Sequence, residues 1–223
     1  MRYLKYVLLL FTACSLQAQN GLAPVNKGIT TDVNLVIDPA VSASAQKAVQ
    51  ELGDNVKKGN WGFTLEKMYP RYRKRQEAQH GAAKFKQQID GAGAQLNQMG
   101  VVIQSFVAKR PTGYFQVWPQ ITAAGKARIA AGGELQDGDT FYNWLVLVPT
   151  TQVWKFLDKN AGKPRYARID SYQVAISRVT APGEEKWTFI DGNSASTRKL
   201  RSFFTSLPFE LELPKLDRVE IKK

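Results

Sequence analysis

The apolar positions of this chain change period once along its 223 residues. From Ser42 onward Ala45, Ala48, Val49, Leu52 and Val56 recur at helical spacing until Gly59, with Ser42 or Ser44 available as an N-cap. Asn60 can cap a second helix whose one face carries Trp61, Leu65, Met68, Tyr69 and Tyr72. Pro70 falls inside that pattern and should kink or end it, because proline lacks a backbone donor and clashes with the preceding turn. Gly81 opens a third helix, in which Phe85, Ile89, Ala92, Leu96 and Met99 repeat until Gly100. Thereafter the period is two. Val101 to Val107, Tyr114 to Trp118, Phe141 to Phe156, Ile169 to Val179 and Lys186 to Ile190 are rich in β-branched and aromatic residues and read as strands. Pro149 should break the third of these, and Pro182-Gly183 should turn the last two into an antiparallel hairpin. The Ala/Gly-rich stretch from Pro119 to Thr140 reads as a long loop or irregular crossing. Ser194 or Ser196 then caps a short helix with Leu200, Phe203 and Phe204. Helices first and strands afterwards predict an α+β fold, with a curved antiparallel sheet packed on about three N-terminal helices. One domain from residue 42 to 214 accommodates them.

Outside that domain the patterning differs. Arg2 and Lys5 precede an apolar run from Tyr6 to Ala13 and then Leu16-Gln17-Ala18, the layout of a cleavable export signal over residues 1–18. The run is too short to span a membrane as a helix. Phe11-Thr12-Ala13-Cys14 offers the alternative of a lipoprotein anchored through Cys14. Residues 19–41 read as a linker and 215–223 as a basic C-terminal tail. The expected location is periplasmic or secreted, in a bacterial envelope.

Charge adds a surface property. Lys and Arg number 31 against 19 Asp and Glu, a net charge of +12, which becomes +10 once Arg2 and Lys5 leave with the signal. Such a surface favours anionic partners. Export makes envelope anions the expected ones, through weak association, and nucleic acid the least expected. With one His and one Cys, a His-built metal cage, a Cys-rich zinc site and an intramolecular disulfide are excluded by count. No metal and no cofactor is expected.

Met68-Tyr69-Pro70, Gly81 with Phe85, Gly100-Val101-Val102-Ile103, Ile169-Asp170-Ser171-Tyr172, Lys186-Trp187-Thr188-Phe189-Ile190-Asp191-Gly192, Leu207-Pro208 and Leu213-Pro214 together carry a resemblance. The chain resembles the nuclear transport factor two-like superfamily, and within it exported bacterial members of uncharacterised function. Where such families show two adjacent glycines before the third helix, this chain has His80-Gly81. The resemblance implies a cone-shaped cavity between sheet and helices, which the superfamily adapts for small-ligand binding or for catalysis, and it implies homodimers formed through the sheet face.

Superfamily enzymes such as ketosteroid isomerase and scytalone dehydratase, which this chain resembles in architecture, place acid, base and phenol groups inside the cone. A carboxylate moved toward neutrality by burial and held within reach of its proton is what that chemistry needs. The candidates are Asp170, Tyr69, Tyr142 and His80. Each has a plainer reading: Asp170 as an edge-pairing or turn residue, the tyrosines as core, His80 as a solvated or capping residue. Asp191, before Gly192, reads as a turn residue. Tyr69, Tyr142, Tyr172 and Trp187 are the candidates for ligand contact. Arg71, Arg73, Lys74 and Arg75 form a candidate anion-binding surface, although cations near a helix C-terminus also complement its dipole. Gly91-Ala92-Gly93 lies inside a helical pattern and follows no strand, which excludes a phosphate loop. The resulting expectation is an exported, non-catalytic domain that binds a small molecule or a protein partner in or beside the cavity. The alternative is a cavity enzyme, a lyase, isomerase or hydrolase working through an Asp/Tyr acid–base pair.

Overall fold

The computed structural model describes residues 39–136, 139–157, 162–179 and 185–221, the side chains of 118–120, 140–142, 178–179 and 185 excepted. The expected export signal, Cys14, most of the expected linker and the turn expected at Pro182-Gly183 lie outside these residues. The N-terminal layer consists of α1 (Pro39–Lys57), α2 (Trp61–Glu66), α3 (Pro70–His80) and α4 (Ala82–Gln98). Helix α1 starts three residues before Ser42, with proline in the first turn, where its missing N–H costs nothing. The two serines expected as caps instead bind the sheet. Ser42 Oγ lies 2.7 Å from the Tyr114 hydroxyl, and Ser44 Oγ accepts the Trp187 indole N–H at 2.8 Å.

Of the kink or end expected at Pro70, the structure shows an end: the helix stops at Glu66 and a new one starts at Pro70. Between α2 and α3 the chain extends along a strand, β5 (Glu185–Asp191). Tyr69 N–H donates to Phe189 O at 2.9 Å, and Phe189 N–H donates to Lys67 O at 2.8 Å. Proline then takes the first position of α3.

The sheet is antiparallel and curled, and its other strands are β1 (Val101–Ala108), β2 (Gly113–Ile121), β3 (Thr140–Leu157), β4 (Pro164–Val179) and β6 (Asp217–Ile221). The long strands β3 and β4 form its middle. One edge of β3 pairs with β1 and then β2, laid end to end, and the outer edge of β4 pairs with β6 and then β5. Pro149 does not break β3. Its carbonyl accepts Lys109 N–H at 2.8 Å, and because N–H and C=O of a strand residue point the same way, its missing donor faces the gap between β1 and β2, where no ladder bond is lost.

Two further expectations are corrected. The stretch after Pro119 is not all loop: β2 runs on to Ile121, and Thr122 caps α5 (Ala123–Ala130) by accepting the Gly125 N–H at 3.1 Å. Alanine-rich sequence behind a threonine cap is helix-forming, a signal hidden by the glycines around it. The C-terminal segment is not a free tail, since β6 pairs with Tyr166–Asp170 and Glu220 takes both Arg165 Nε and Nη2 at 2.7 Å.

Strand alternation sends side chains to two different layers. Val146, Val148, Ala175 and Phe189 pack against Val41, Ala45, Val49 and Leu52 of α1. On the opposite face Leu145, Leu147, Val174 and Ile176 meet Leu200, Phe203 and Phe204 of the last helix, α6 (Thr197–Phe203), and the segment after it. Among the described residues no helix is long and apolar enough to cross a membrane.

Candidate functional site

On the face that carries Phe189, helices α1–α4 do not close fully onto the sheet, and a cavity of about 130 Å³ remains between them. Its helical wall includes Leu52 and Val56 of α1, Trp61 and Thr64 of α2, Tyr72 and Gln76 of α3, and Phe85 and Ile89 of α4. Its sheet wall carries Ile103, Phe106, Gln152, Trp154, Gln173 and Asp191. Close approach at two glycines shapes the walls. A Cβ on Gly53 would stand 1.9 Å from the Phe106 ring, and one on Gly93 would stand 2.5 Å from the Trp61 indole nitrogen. Within Gly91-Ala92-Gly93 of α4, Gly93 thus makes room for the Trp61 ring of α2.

Asp191 is the one carboxyl among the lining residues, none of which is Lys or Arg. It ends β5 and shares parity with Phe189, so its side chain points to the cavity face. The next residue must be small, because a Cβ on Gly192 would lie 2.4 Å from Tyr172 O, and the chain turns away through Gly192–Ser194. Asp191 Oδ1 accepts Gln173 Nε2 at 3.1 Å, from its cross-strand partner, and Asn193 Nδ2 at 3.4 Å. Burial pushes the carboxyl up to about 6, against the opposing pull of the Asn193 and Gln173 hydrogen bonds and the Asn193 and Gly192 backbone N–H groups. Beside it burial also raises the Tyr72 phenol; a hydrogen bond with Ser194 opposes that shift, and the Asp191 charge adds to it. Thr64 Oγ1 is buried on the cavity wall and has no hydrogen-bond partner among the described residues.

The residues singled out from sequence lie mostly elsewhere. Asp170 has the opposite parity to Gln173 and sits on the far face of the sheet. It accepts a hydrogen bond from Thr151 Oγ1 and forms ion pairs with Lys109 Nζ at 3.3 Å and Arg168 Nε at 2.9 Å. These partners, the Thr151 hydroxyl foremost, hold its carboxyl below its usual range, which suits a structural anion rather than a base. Tyr69 and Tyr172 are buried in the far-face core. The Tyr69 ring lies 5.3 Å from that of Phe204, and burial pushes its phenol up to about 12 despite the Arg71 charge. Tyr142 is described in its backbone alone, opposite Pro119; its side chain lies outside the described residues. The pair of Asp170 with Tyr69 is therefore not assembled in the cavity. Trp187 shares the cavity face but packs against α1 without lining the space.

His80 is exposed at the end of α3, its ring 6.4 Å from that of Phe85. The basic cluster on α3 is partly engaged within the fold: Arg73 pairs with Glu77 at 2.7 Å, and Arg75 lies 4.7 Å over the Phe203 ring and donates to Ser202 Oγ at 3.0 Å. Arg71 and Lys74 are exposed. Among the described residues no group of three His, Cys, Asp or Glu side chains gathers as metal ligands would.

Asp191, Gln173, Thr64 and Tyr72 are among the cavity polar groups that sequence reasoning passes over. One signal for Gln173 exists: it is the lone amide in the apolar run Tyr172–Ile176. No protein-family model, no curated protein and no solved structure matches the chain, so its own geometry carries the functional reading.

Proposed function

We propose that this chain is a non-catalytic domain of the nuclear transport factor two-like type that binds one small molecule in the cavity between α1–α4 and the sheet. The observation that carries the reading is a preformed, largely apolar space with a few convergent polar groups, the usual form of a small-ligand site. The resemblance supports it as well, because Met68, Phe85, Ile103, Phe189 and Asp191, which lie in the motifs that carry the resemblance, all border that space. Fold likeness alone does not assign a ligand.

The test is a ligand-observed NMR screen of single-ring compounds, read beside a variant, Ala92→Leu, that fills the cavity from α4. Saturable binding of one molecule per chain, lost in the filled variant while its melting temperature holds, is the expected result. Equal binding by both proteins, or none by either, would sink the proposal. Conversion of a bound compound that stops in Asp191→Asn would move the reading from binding to catalysis.

A further inference from the structure

The cavity combines two properties that seldom coexist by accident. Six rings border it, those of Trp61, Tyr72, Phe85, Phe106, Trp154 and Phe189, and among them stands the Asp191 carboxyl. That carboxyl forms no ion pair among the described residues. Among the described residues its donors are neutral amides: the side chains of Gln173 and Asn193 and the backbone N–H groups of Gly192 and Asn193. An anion held this way in apolar surroundings has its hydrogen bonds but lacks a counter-charge, and a buried charge is costly until it is paired.

We infer that the ligand of this cavity is a small organic cation, a protonated amine on a hydrocarbon body of about one ring, with its ammonium against Asp191 and its body against the aromatic walls. The inference rests on the cavity being a ligand site, as proposed above. Size fits the class, since a dry cavity of about 150 Å³ accepts benzene and this one measures about 130 Å³. The walls fit it too, because ring faces attract cations most strongly where water is excluded. An anionic ligand would meet Asp191 as a like charge. The protein's net charge of +12 would repel a cation at long range, so the preference must come from this one local group.

The groups around Asp191 leave its charge as the variable. Gln173 faces it from β4, Asn193 and Ser194 from the turn, and the Tyr72 phenol from α3. Lys199 of α6 donates to Ser194 O and lies 5.6 Å over the Tyr72 ring, and it is absent from the cavity wall. An alkylammonium keeps its proton throughout the range in which the carboxyl, pushed up to about 6, loses its own. Amine affinity should therefore rise with pH through that value.

Titration of the full chain with benzylamine, benzyl alcohol and benzoate, followed by tryptophan emission from the cavity rings Trp61 and Trp154, tests this. At pH 7.5 benzylamine should bind at least about tenfold more tightly than benzyl alcohol, with benzoate weakest. The advantage should shrink at pH 5 and vanish in Asp191→Asn. The pH comparison needs no variant, so it holds even if the substituted protein folds poorly. Benzyl alcohol binding as tightly as benzylamine, or an amine preference that persists at pH 5 and in Asp191→Asn, overturns the inference while leaving the cavity a binding site. No binding of any of the three compounds removes both readings.

Discussion

An aspartate that faces a hydrocarbon cavity weakens the fold that carries it, and the sign of its pH dependence says by which route. The Asp191 carboxyl sits at about 6 in the folded protein against an ordinary value of 3.8. Between those values the folded chain retains a proton that the unfolded chain gives up. The stability from that proton is complete below the unfolded value and is lost as pH rises through about 6. Asparagine keeps the acceptor for Gln173 and removes the charge. Asp191→Asn should accordingly stabilise the protein at pH 7.5, by up to about 3 kcal/mol if the whole shift is recovered, and the gain should disappear near pH 3.5. Urea unfolding at the two pH values measures both. A variant less stable than wild type at pH 7.5 would show that the carboxylate is a net structural contributor and not a strained group held for a ligand. Asp170 obeys the opposite rule: with three partners and a lowered pKa it stabilises above its unfolded value and loses that contribution as pH falls. In the sequence the two residues look alike, each a carboxylate in or beside an apolar strand. What separates them is strand parity combined with knowledge of which layer covers which face, and only the assembled fold supplies the second.

At the scale of elements, helix boundaries depended on prolines whose effect changes with context. Period and composition identify the helical segment before Gly59, the one after Gly81 and most of the strands, because each carries a full set of apolar residues at its own spacing. The helix that Pro70 opens and the place of Pro149 could not be read that way. Both prolines are expected to interrupt an element; Pro70 does so and also opens the next helix, whereas Pro149 sits where two partner strands abut. The cavity raises the same problem for glycines. Gly53 and Gly91 both lie inside helices, where alanine is favoured by about 1 kcal/mol on propensity alone. A Cβ on Gly91 would meet nothing within 4 Å, while one on Gly53 would stand 1.9 Å from the Phe106 ring. Gly91→Ala should therefore stabilise by up to about 1 kcal/mol. Gly53→Ala should lose up to about 2 kcal/mol net, since forcing Phe106 aside costs about 1–3 kcal/mol against the gain of about 1 kcal/mol in propensity. Chemical denaturation of both variants checks the pair. Equal effects would mean that α1 can move off β1 freely, which would make the cavity soft rather than preformed.

For the molecule as a whole, the sheet is covered unequally. One face lies under α1–α4; the other is covered by α6 and the segment after it along only part of its length. Beyond that cover Val102 and Val107 remain 42% and 51% exposed, interspersed with Thr151, Arg168 and Asp170. The α+β class was legible from the order of periods. This asymmetry was not, because it depends on how the C-terminal segment returns, and that segment reads from composition as a basic tail. Instead β6 runs along Tyr166–Asp170 and occupies the part of the β4 edge that β5 leaves open. Four of its five residues are exposed, and its Arg165–Glu220 pair is exposed as well, so it should contribute little burial and about 0–1 kcal/mol from the ion pair. Its larger effect is to occupy an edge. An open strand edge invites pairing with another chain, here next to a face already short of cover. Truncation after Lys215 should therefore lower stability by only about 1–2 kcal/mol, in keeping with a few exposed ladder bonds. Light scattering over a range of concentrations should show new self-association that the full-length chain lacks. A truncated protein that keeps the full-length chain's association state at every concentration would mean that the β4 edge is protected by its own twist and charges, and that β6 has no such guarding role.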